Sequence, residues 1–206
     1  MRRVMVGVGI AALALVAFAP ASVAAPPPSD PSIQQFASPT INEVATRGPA
    51  GPLDQFVEIA NPSRTQAIDI SNWQVRIYSS TNMLLQIVII PEGTVLQPLG
   101  SGLASDTFWT LSSASFTGGA VDQVGALAID IPDTGGVALF NPGGTKVDGV
   151  AFSSGAVTAL EGSPAVPQSA SLDFLAPSNG RNLVSQDTNN NLNDFKLLER
   201  TPDDFN

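Results

Sequence analysis

The sequence contains no cysteine and no histidine among its 206 residues. Their absence excludes disulfides, serine–histidine triads, cysteine nucleophiles and metal sites built from imidazole or thiolate. Basic residues are also scarce, since nine Lys and Arg stand against 18 Asp and Glu, for a formal net charge of −9. This acidity favours solubility and argues against binding to a phosphate backbone, so no nucleic-acid partner is expected.

The sequence also lacks long stretches free of glycine and proline. Its 18 Gly and 17 Pro recur too often for a helical period of 3.6 residues to be sustained. Short runs in which apolar and polar residues alternate take the place of helices, and turn residues separate them. The chain is therefore predicted to be all-β.

One long apolar run occurs, and it lies near the start of the chain. Met1-Arg2-Arg3 precedes an apolar stretch over residues 4–18, and the small residues Ser22-Val23-Ala24 follow. This order predicts a signal peptide over residues 1–24, with cleavage after Ala24 favoured over cleavage after Ala25. No stable membrane span is expected after cleavage, and the alternative is an uncleaved anchor. The expected location is secreted or extracellular, with or without association with the cell envelope.

Residues 25–36 are rich in proline and predict a stiff spacer. Residues 37–206 are then expected to form one domain. Trp73 follows an alternating run and is predicted to lie in the core. Residues 84–90 are nearly all apolar and are predicted to form a strand covered on both faces. A late strand is predicted over residues 169–175.

Three blocks of sequence resemble one known family. The first reads I-N-E-V over residues 41–44, F-V-E-I-A-N-P over 56–62 and I-D-I-S-N-W-Q-V over 68–75. The second, residues 128–152, centres on Asn141-Pro142-Gly143-Gly144, a β-hairpin signal between two alternating runs. The third contains Arg181, D-T-x-x-N-x-x-D-F over residues 187–195 and Thr201-Pro202. Together they resemble the lamin-tail domain family, over about Thr40 to Thr201.

This resemblance implies an immunoglobulin-like β-sandwich of the kind found in nuclear lamins and in many secreted bacterial proteins. Asp148 matches a recurrent aspartate of the family. Residues 203–206 depart from the family, which usually has a glycine turn and a proline there. The nucleic-acid partners of nuclear members are not expected here because this chain is acidic. The fold hosts many functions, so the resemblance predicts the fold better than the function.

The best candidate metal site is the loop over residues 187–194. Asp187, Asn189, Asn191 and Asp194 place carboxylate and amide oxygens close together in sequence, and such oxygens are the ligands that Ca²⁺ prefers. Leu192 stands where an EF-hand loop needs glycine, and Leu198 stands where it needs a bidentate glutamate. The alternative is a surface turn whose side chains bond their own backbone. No other cofactor is expected.

Two further features of the sequence are relevant to chemistry. Glu43 and Glu58 could form a carboxylate pair of the glycosidase type, or could be strand residues that bond a loop or face solvent. Arg181 is interpreted as tying the end of the chain to the sandwich. No catalytic residue is predicted on this basis.

The favoured interpretation is a secreted, non-catalytic binding or structural module whose partner is an extracellular or cell-envelope macromolecule, engaged through loops or along an edge strand. The alternatives are an accessory or cryptic secreted hydrolase and a calcium-stabilised adhesive module. The sequence does not fix the oligomeric state.

Overall fold

The computed structural model describes residues 38–206, so the predicted signal peptide (1–24) and spacer (25–36) lie outside the described residues. In the described part of the chain, no helix is both long enough and apolar enough to cross a membrane. Twelve strands dominate residues 38–206. They are β1 (Thr40–Ala45), β2 (Phe56–Ala60), β3 (Ile68–Asp69), β4 (Gln74–Tyr78), β5 (Leu84–Ile89), β6 (Val95–Leu96), β7 (Phe108–Ser113), β8 (Gln123–Leu127), β9 (Gly136–Phe140), β10 (Lys146–Ala151), β11 (Pro177–Gly180) and β12 (Lys196–Glu199).

Among residues 38–206, helical structure is limited to three short segments. Two are 3₁₀ helices, at Ala104–Asp106 and Ala170–Leu175, and one is a single α-helical turn, α1 (Asn191–Asp194). The all-β prediction is confirmed.

The strands form two main sheets. The larger sheet has six strands in the order β12-β11-β1-β2-β7-β8, and the smaller has four in the order β10-β9-β4-β5. Only β7 and β8 pair in parallel, whereas the other pairings among the described strands are antiparallel. A two-stranded ribbon of β3 and β6 accompanies them.

The core fills the space between the two main sheets. In the larger sheet, Val44, Val57 and Leu111 lie side by side across β1, β2 and β7, and all three are buried. Val75 and Leu139 are the corresponding buried pair of the smaller sheet. Because successive side chains of a strand point to opposite faces, the residues next to these point away from the core.

Trp109, rather than Trp73, is the buried tryptophan of the core. Trp109 is 5% exposed, while Trp73 packs against the core only in part. The prediction for Trp73 was therefore only partly right.

The prediction that residues 84–90 are covered on both faces was wrong. β5 is an edge strand that pairs with β4. Val88 is buried, but Leu84, Ile87 and Ile89 are exposed. An unbroken apolar run does not distinguish a central strand from an edge strand whose outer face is also apolar.

The end of the described chain also differs from the prediction. Residues 170–175 form a 3₁₀ helix instead of a strand, and Ser169 caps it by accepting a hydrogen bond from the Ser171 backbone N–H. Three strands were not predicted, namely β8, β11 and β12. β11 reads P-S-N-G, a sequence typical of a turn, and it forms a strand because β1 and β12 pair with it on either side.

The predicted hairpin is confirmed by β9 and β10, which pair antiparallel around Asn141–Gly144. Gly144 adopts a φ of +80°, a conformation that suits glycine. Glycine is needed at position 149 in β10 for a different reason. A Cβ atom there would lie 2.5 Å from the backbone oxygen of Ala159. The loop after β10 therefore packs directly against the hairpin.

Candidate functional site

The loop predicted to bind calcium begins with a tight turn. The backbone N–H of Asn189 donates to Oδ1 of Asp187 at 2.9 Å, and Asn189 has a φ of +55°. This is the bond of an Asx turn, which was the alternative interpretation of the loop. The α1 turn follows immediately.

Asn191, another predicted ligand, is fully buried and bonded to backbone. Its Oδ1 accepts hydrogen bonds from the backbone N–H groups of Ala151 at 3.0 Å and Glu161 at 3.1 Å. Its Nδ2 donates to the carbonyl oxygen of Gly149 at 2.7 Å. Asn191 therefore joins α1, β10 and the loop after β10.

Asp194, the last predicted ligand, is bonded on both carboxylate oxygens. Thr188 donates its backbone N–H to Oδ2 at 3.0 Å and its hydroxyl to Oδ1 at 2.6 Å. Nη1 of Arg181 lies 3.2 Å from Oδ2. Asn191 and Asp194 thus have structural roles, and calcium binding by the four loop residues stays a prediction.

Arg181 is the largest fully buried side chain among the described residues. Its Nε donates to the carbonyl oxygen of Ile41 at 2.8 Å, and its Nη2 donates to both oxygens of Asp148 at 2.9 and 3.1 Å. The guanidinium also lies 4.4 Å from the ring centroid of Phe195. The interpretation of Arg181 as a tie between the end of the chain and the sandwich is confirmed.

Asp148 also bonds the backbone of both sheets. Its Oδ2 accepts from the N–H of Ile41 in β1 at 2.6 Å, and its Oδ1 accepts from Gly149 at 2.7 Å. Burial raises the pKa of Asp148, while the positive charge of Arg181 opposes that shift. A buried charge with this many partners is costly to disturb.

A second group of carboxylates lies beside this ion pair. Carboxylate oxygens of Asp148, Glu161 and Asp187 all lie within 4.8 Å of one another. Glu161 is 9% exposed and forms an ion pair with Lys146 at 3.0 Å. Burial and the nearby charge of Asp148 raise the pKa of Glu161 to about 7. The spacing of these three carboxylates along the sequence does not predict the group. It forms only because folding brings β10, the loop after β10 and the 187–194 loop together.

Glu43 and Glu58 are neighbours on the larger sheet, on the face turned away from the core. They are directly paired across β1 and β2, and both are fully buried. Burial raises the pKa of Glu43 to about 7 and raises that of Glu58 well above its ordinary value, with the charge of Glu43 as a further cause for Glu58. Two adjacent carboxylates hold protons more tightly because both cannot be charged at low cost.

The segment of residues 200–206 covers this pair. The backbone N–H of Thr201 donates to Oε1 of Glu43 at 3.1 Å, and that of Asp203 donates to Oε2 of Glu58 at 2.6 Å. Phe205 packs edge-on against Phe108, with ring centroids 5.3 Å apart. The structure thus supports the interpretation that these glutamates bond a loop.

Several surface clefts lie away from this pair. Four of the clefts in the described part of the chain have volumes of about 490 to 570 Å³, and neither Glu43 nor Glu58 lines any of these four. One of these clefts is lined by Leu172, Phe174 and Leu198, next to the edge strand β12. A glycosidase pair requires a cleft in which a substrate reaches both carboxylates. Glu43 and Glu58 are instead fully buried and bonded by the segment 200–206.

Comparison with known proteins decides the family. The family model described as Lamin Tail Domain matches residues 34–154. The chain belongs to the lamin tail domain family. Membership assigns an immunoglobulin-like fold to the two-sheet sandwich and confirms the resemblance found in the sequence. A search of curated proteins finds no match.

The lamin tail domain match ends before several features described above. β11, β12, Arg181 and the segment 200–206 all follow residue 154. They nevertheless complete the six-stranded sheet and cover its outer face. The match includes Glu43, Glu58 and Asp148, and each of them also has a hydrogen-bond partner beyond residue 154, namely Thr201, Asp203 and Arg181 respectively.

Proposed function

We propose that this lamin tail domain protein is exported and acts without catalysis, as a module that binds a protein of the cell envelope or extracellular space. The predicted signal peptide and proline-rich spacer support export and presentation of the domain away from its point of release. A role in binding is supported by the character of one edge of the sandwich.

That edge is β5, and it carries the proposal. β5 pairs with β4, and no other described strand pairs with its second edge. Exposed apolar side chains continue along it, with Leu84 at 45%, Ile87 at 44% and Ile89 at 57% exposure. Edge strands are usually protected from pairing by charges, bulges, glycine or proline.

The other edges of the two main sheets carry such protection. β10 contains Lys146 and Asp148, and β12 contains Lys196 and Glu199. β8 contains Gly125, which adopts a φ of +74°. β5 reads L-L-Q-I-V-I, without charge, glycine or proline. Its one register shift lies at its start, where Leu84 and Gln86 pair with the adjacent residues Tyr78 and Ile77. The rest of the strand, residues 87–89, is regular and uncharged, and an edge of this kind is suited to pairing with another chain.

The edge favours an extended polypeptide as the partner. Such a segment would add a strand to β5 through backbone hydrogen bonds, and its alternate side chains would contact Ile87 and Ile89. The formal net charge of −9 favours a neutral or basic segment over an acidic one. Specificity would then come from the apolar contacts and from charge.

A non-catalytic role is supported by the positions of the carboxylates. Glu43 and Glu58 are held by the segment 200–206, and the chain has no histidine or cysteine. Hydrolysis of a panel of glycoside and phosphate ester substrates by the purified protein would overturn this part of the proposal and favour the hydrolase alternative.

Cell fractionation tests the proposed location. We expect an immunoblot to detect the protein in the medium or the envelope, and a mass spectrum to show an N-terminus after Ala24. Uncleaved protein in the membrane would contradict secretion and indicate a tethered domain.

A sedimentation assay tests the binding edge. The wild-type protein is expected to sediment with washed envelopes, whereas an Ile87→Lys variant is expected to stay largely in the supernatant. Leu183→Lys is the matched control, since Leu183 is 63% exposed in the loop after β11. Both variants should melt like the wild type. Equal sedimentation of all three proteins would exclude β5 as the binding edge. If none of the three proteins sediments with envelopes or binds proteins of the medium, the binding function is overturned.

A further inference from the structure

One buried carboxylate oxygen near Arg181 has no donor. The side chain of Glu161 is 8% exposed, and its Oε1 pairs with Nζ of Lys146 at 3.0 Å. Its Oε2 is buried and has no hydrogen-bond partner. A buried polar atom of this kind is costly, and such atoms often indicate a water or an ion.

The surroundings of this oxygen have the spacing of a cation site. Oxygens of Asp148, Glu161 and Asp187 lie within 4.8 Å of one another. Two oxygens that each lie 2.3–2.6 Å from one Ca²⁺ ion are separated by at most about 5 Å. The three carboxylates can therefore surround a single ion with small side-chain movements.

A further oxygen without a donor lies in the adjoining loop. Oδ1 of Asn190 is buried and has no hydrogen-bond partner. The side chain of Asn190 packs close to Gly162, directly after Glu161, so that a Cβ atom on Gly162 would lie 2.9 Å from its amide carbon. Amide oxygens are common ligands of Ca²⁺.

We propose that Asp148, Glu161 and Asp187 bind a calcium ion. The ion would join β10, the loop after β10 and the 187–194 loop, three segments that no disulfide can join in a chain without cysteine. This ligand set shares only Asp187 with the set predicted from the sequence. Asn191 is hydrogen-bonded to backbone groups and Asp194 is paired with Arg181, so neither belongs to the proposed ligand set.

The neighbouring cation limits the affinity. Arg181 lies 3.5 Å from Asp187 and 2.9 Å from Asp148, so the ion has to share both carboxylates with a guanidinium. We therefore expect a dissociation constant of about 10⁻⁴–10⁻³ M, the range of extracellular calcium modules. Such a site would be occupied where calcium is at millimolar concentration.

Thermal melting with and without calcium tests the site. The purified protein is stripped with EGTA and melted with EGTA or with 10 mM CaCl₂. We expect calcium to raise the melting temperature by several degrees, and titration calorimetry to give one ion per chain. No shift and no binding heat in the wild type would overturn the proposal.

Two variants identify the ligands. Glu161→Gln removes a ligand of the proposed set and should abolish the calcium shift, and it is expected to fold because it also removes a buried charge. Asn189→Ala is the matched control, since Asn189 belongs only to the loop set, and it should keep the full shift. Loss of the shift in Asn189→Ala with retention in Glu161→Gln would assign the ion to the loop instead and overturn the proposal. The result is independent of the β5 assay.

Discussion

Glu43 and Glu58 face each other across β1 and β2, and a segment more than 140 residues away in sequence closes over both. Thr201 bonds Glu43 and Asp203 bonds Glu58. The pair therefore links the central strands of the larger sheet to the last described residues.

The stability of the protein is expected to fall as the pH rises from about 4.5 through 7. In the unfolded chain a glutamate releases its proton near pH 4.5, whereas burial raises the pKa of Glu43 to about 7 in the folded protein. Between these values the folded state binds more protons than the unfolded state, so raising the pH favours unfolding. Asp203 acts in the same direction, because burial raises its pKa to about 6. The melting temperature should be lower at pH 8 than at pH 5 by roughly 5 °C.

The variant Glu43→Gln tests the source of this dependence. Calorimetry at pH 5 and pH 8 should show a smaller difference in melting temperature than in the wild type, because one titrating group is gone. Glu92→Gln is the control, since Glu92 is exposed, and it should keep the full difference. An unchanged difference in Glu43→Gln would assign the pH dependence to other groups.

Deletion of residues 201–206 is expected to destabilise the sandwich at pH 5 by about 2 kcal/mol, because the hydrogen bonds to Glu43 and Glu58 are lost. The pH dependence should also decrease, since both carboxylates become hydrated. Urea unfolding at pH 5 and pH 8 measures both effects. Asp204→Asn, at an exposed position of the same segment, should behave like the wild type. A deletion variant as stable as the wild type would show that the segment contributes nothing to the fold.

Arg181→Met should destabilise the protein by about 3–5 kcal/mol, because it leaves the buried carboxylate of Asp148 without its main cationic partner. Arg181→Lys should also be destabilising, since one ammonium group cannot reach Ile41 and Asp148 in the same geometry. The free energy of unfolding in urea measures both. Arg64→Met, at an exposed position, serves as the control. A loss below about 1 kcal/mol in Arg181→Met would mean that Asp148 is paired elsewhere or neutral.

Gly149→Ala should destabilise the protein by about 1–3 kcal/mol, because the new Cβ atom would meet the Ala159 backbone at 2.5 Å. Gly102→Ala is the control, since its nearest contact is the end of the Asp106 side chain at 3.0 Å, which can rotate away. Thermal melting compares the two. Equal melting temperatures would show that the loop after β10 moves aside without cost.

The sequence predicted the features that depend on neighbouring residues. The two alternating runs on either side of Asn141–Gly144 identified the hairpin of β9 and β10. It also predicted the family, whose model matches residues 34–154. These signals are local, since strand period and turn chemistry are set by residues a few positions apart.

The sequence could not predict which apolar strand lies at an edge. The sequence of β5 predicts a strand covered on both faces. In the fold, β5 pairs only with β4 among the described strands, and Ile87 and Ile89 are exposed. Strand order depends on contacts between segments that are distant in sequence. For the same reason the sequence did not predict β11, whose turn-like residues form a strand between β1 and β12.

Residue order along the chain was enough to predict an all-β protein of the lamin tail domain family and to show which residue types are available for a site. How those residues are used depends on contacts made in the folded chain. Arg181 meets Asp148 across 33 positions, and Thr201 meets Glu43 across 158. Folding also brings together carboxylates of Asp148, Glu161 and Asp187 from three segments, and only Asp187 belongs to the loop that the sequence predicted to bind calcium. Burial and charge balance belong to such long-range contacts, and neither can be read from spacing along the chain.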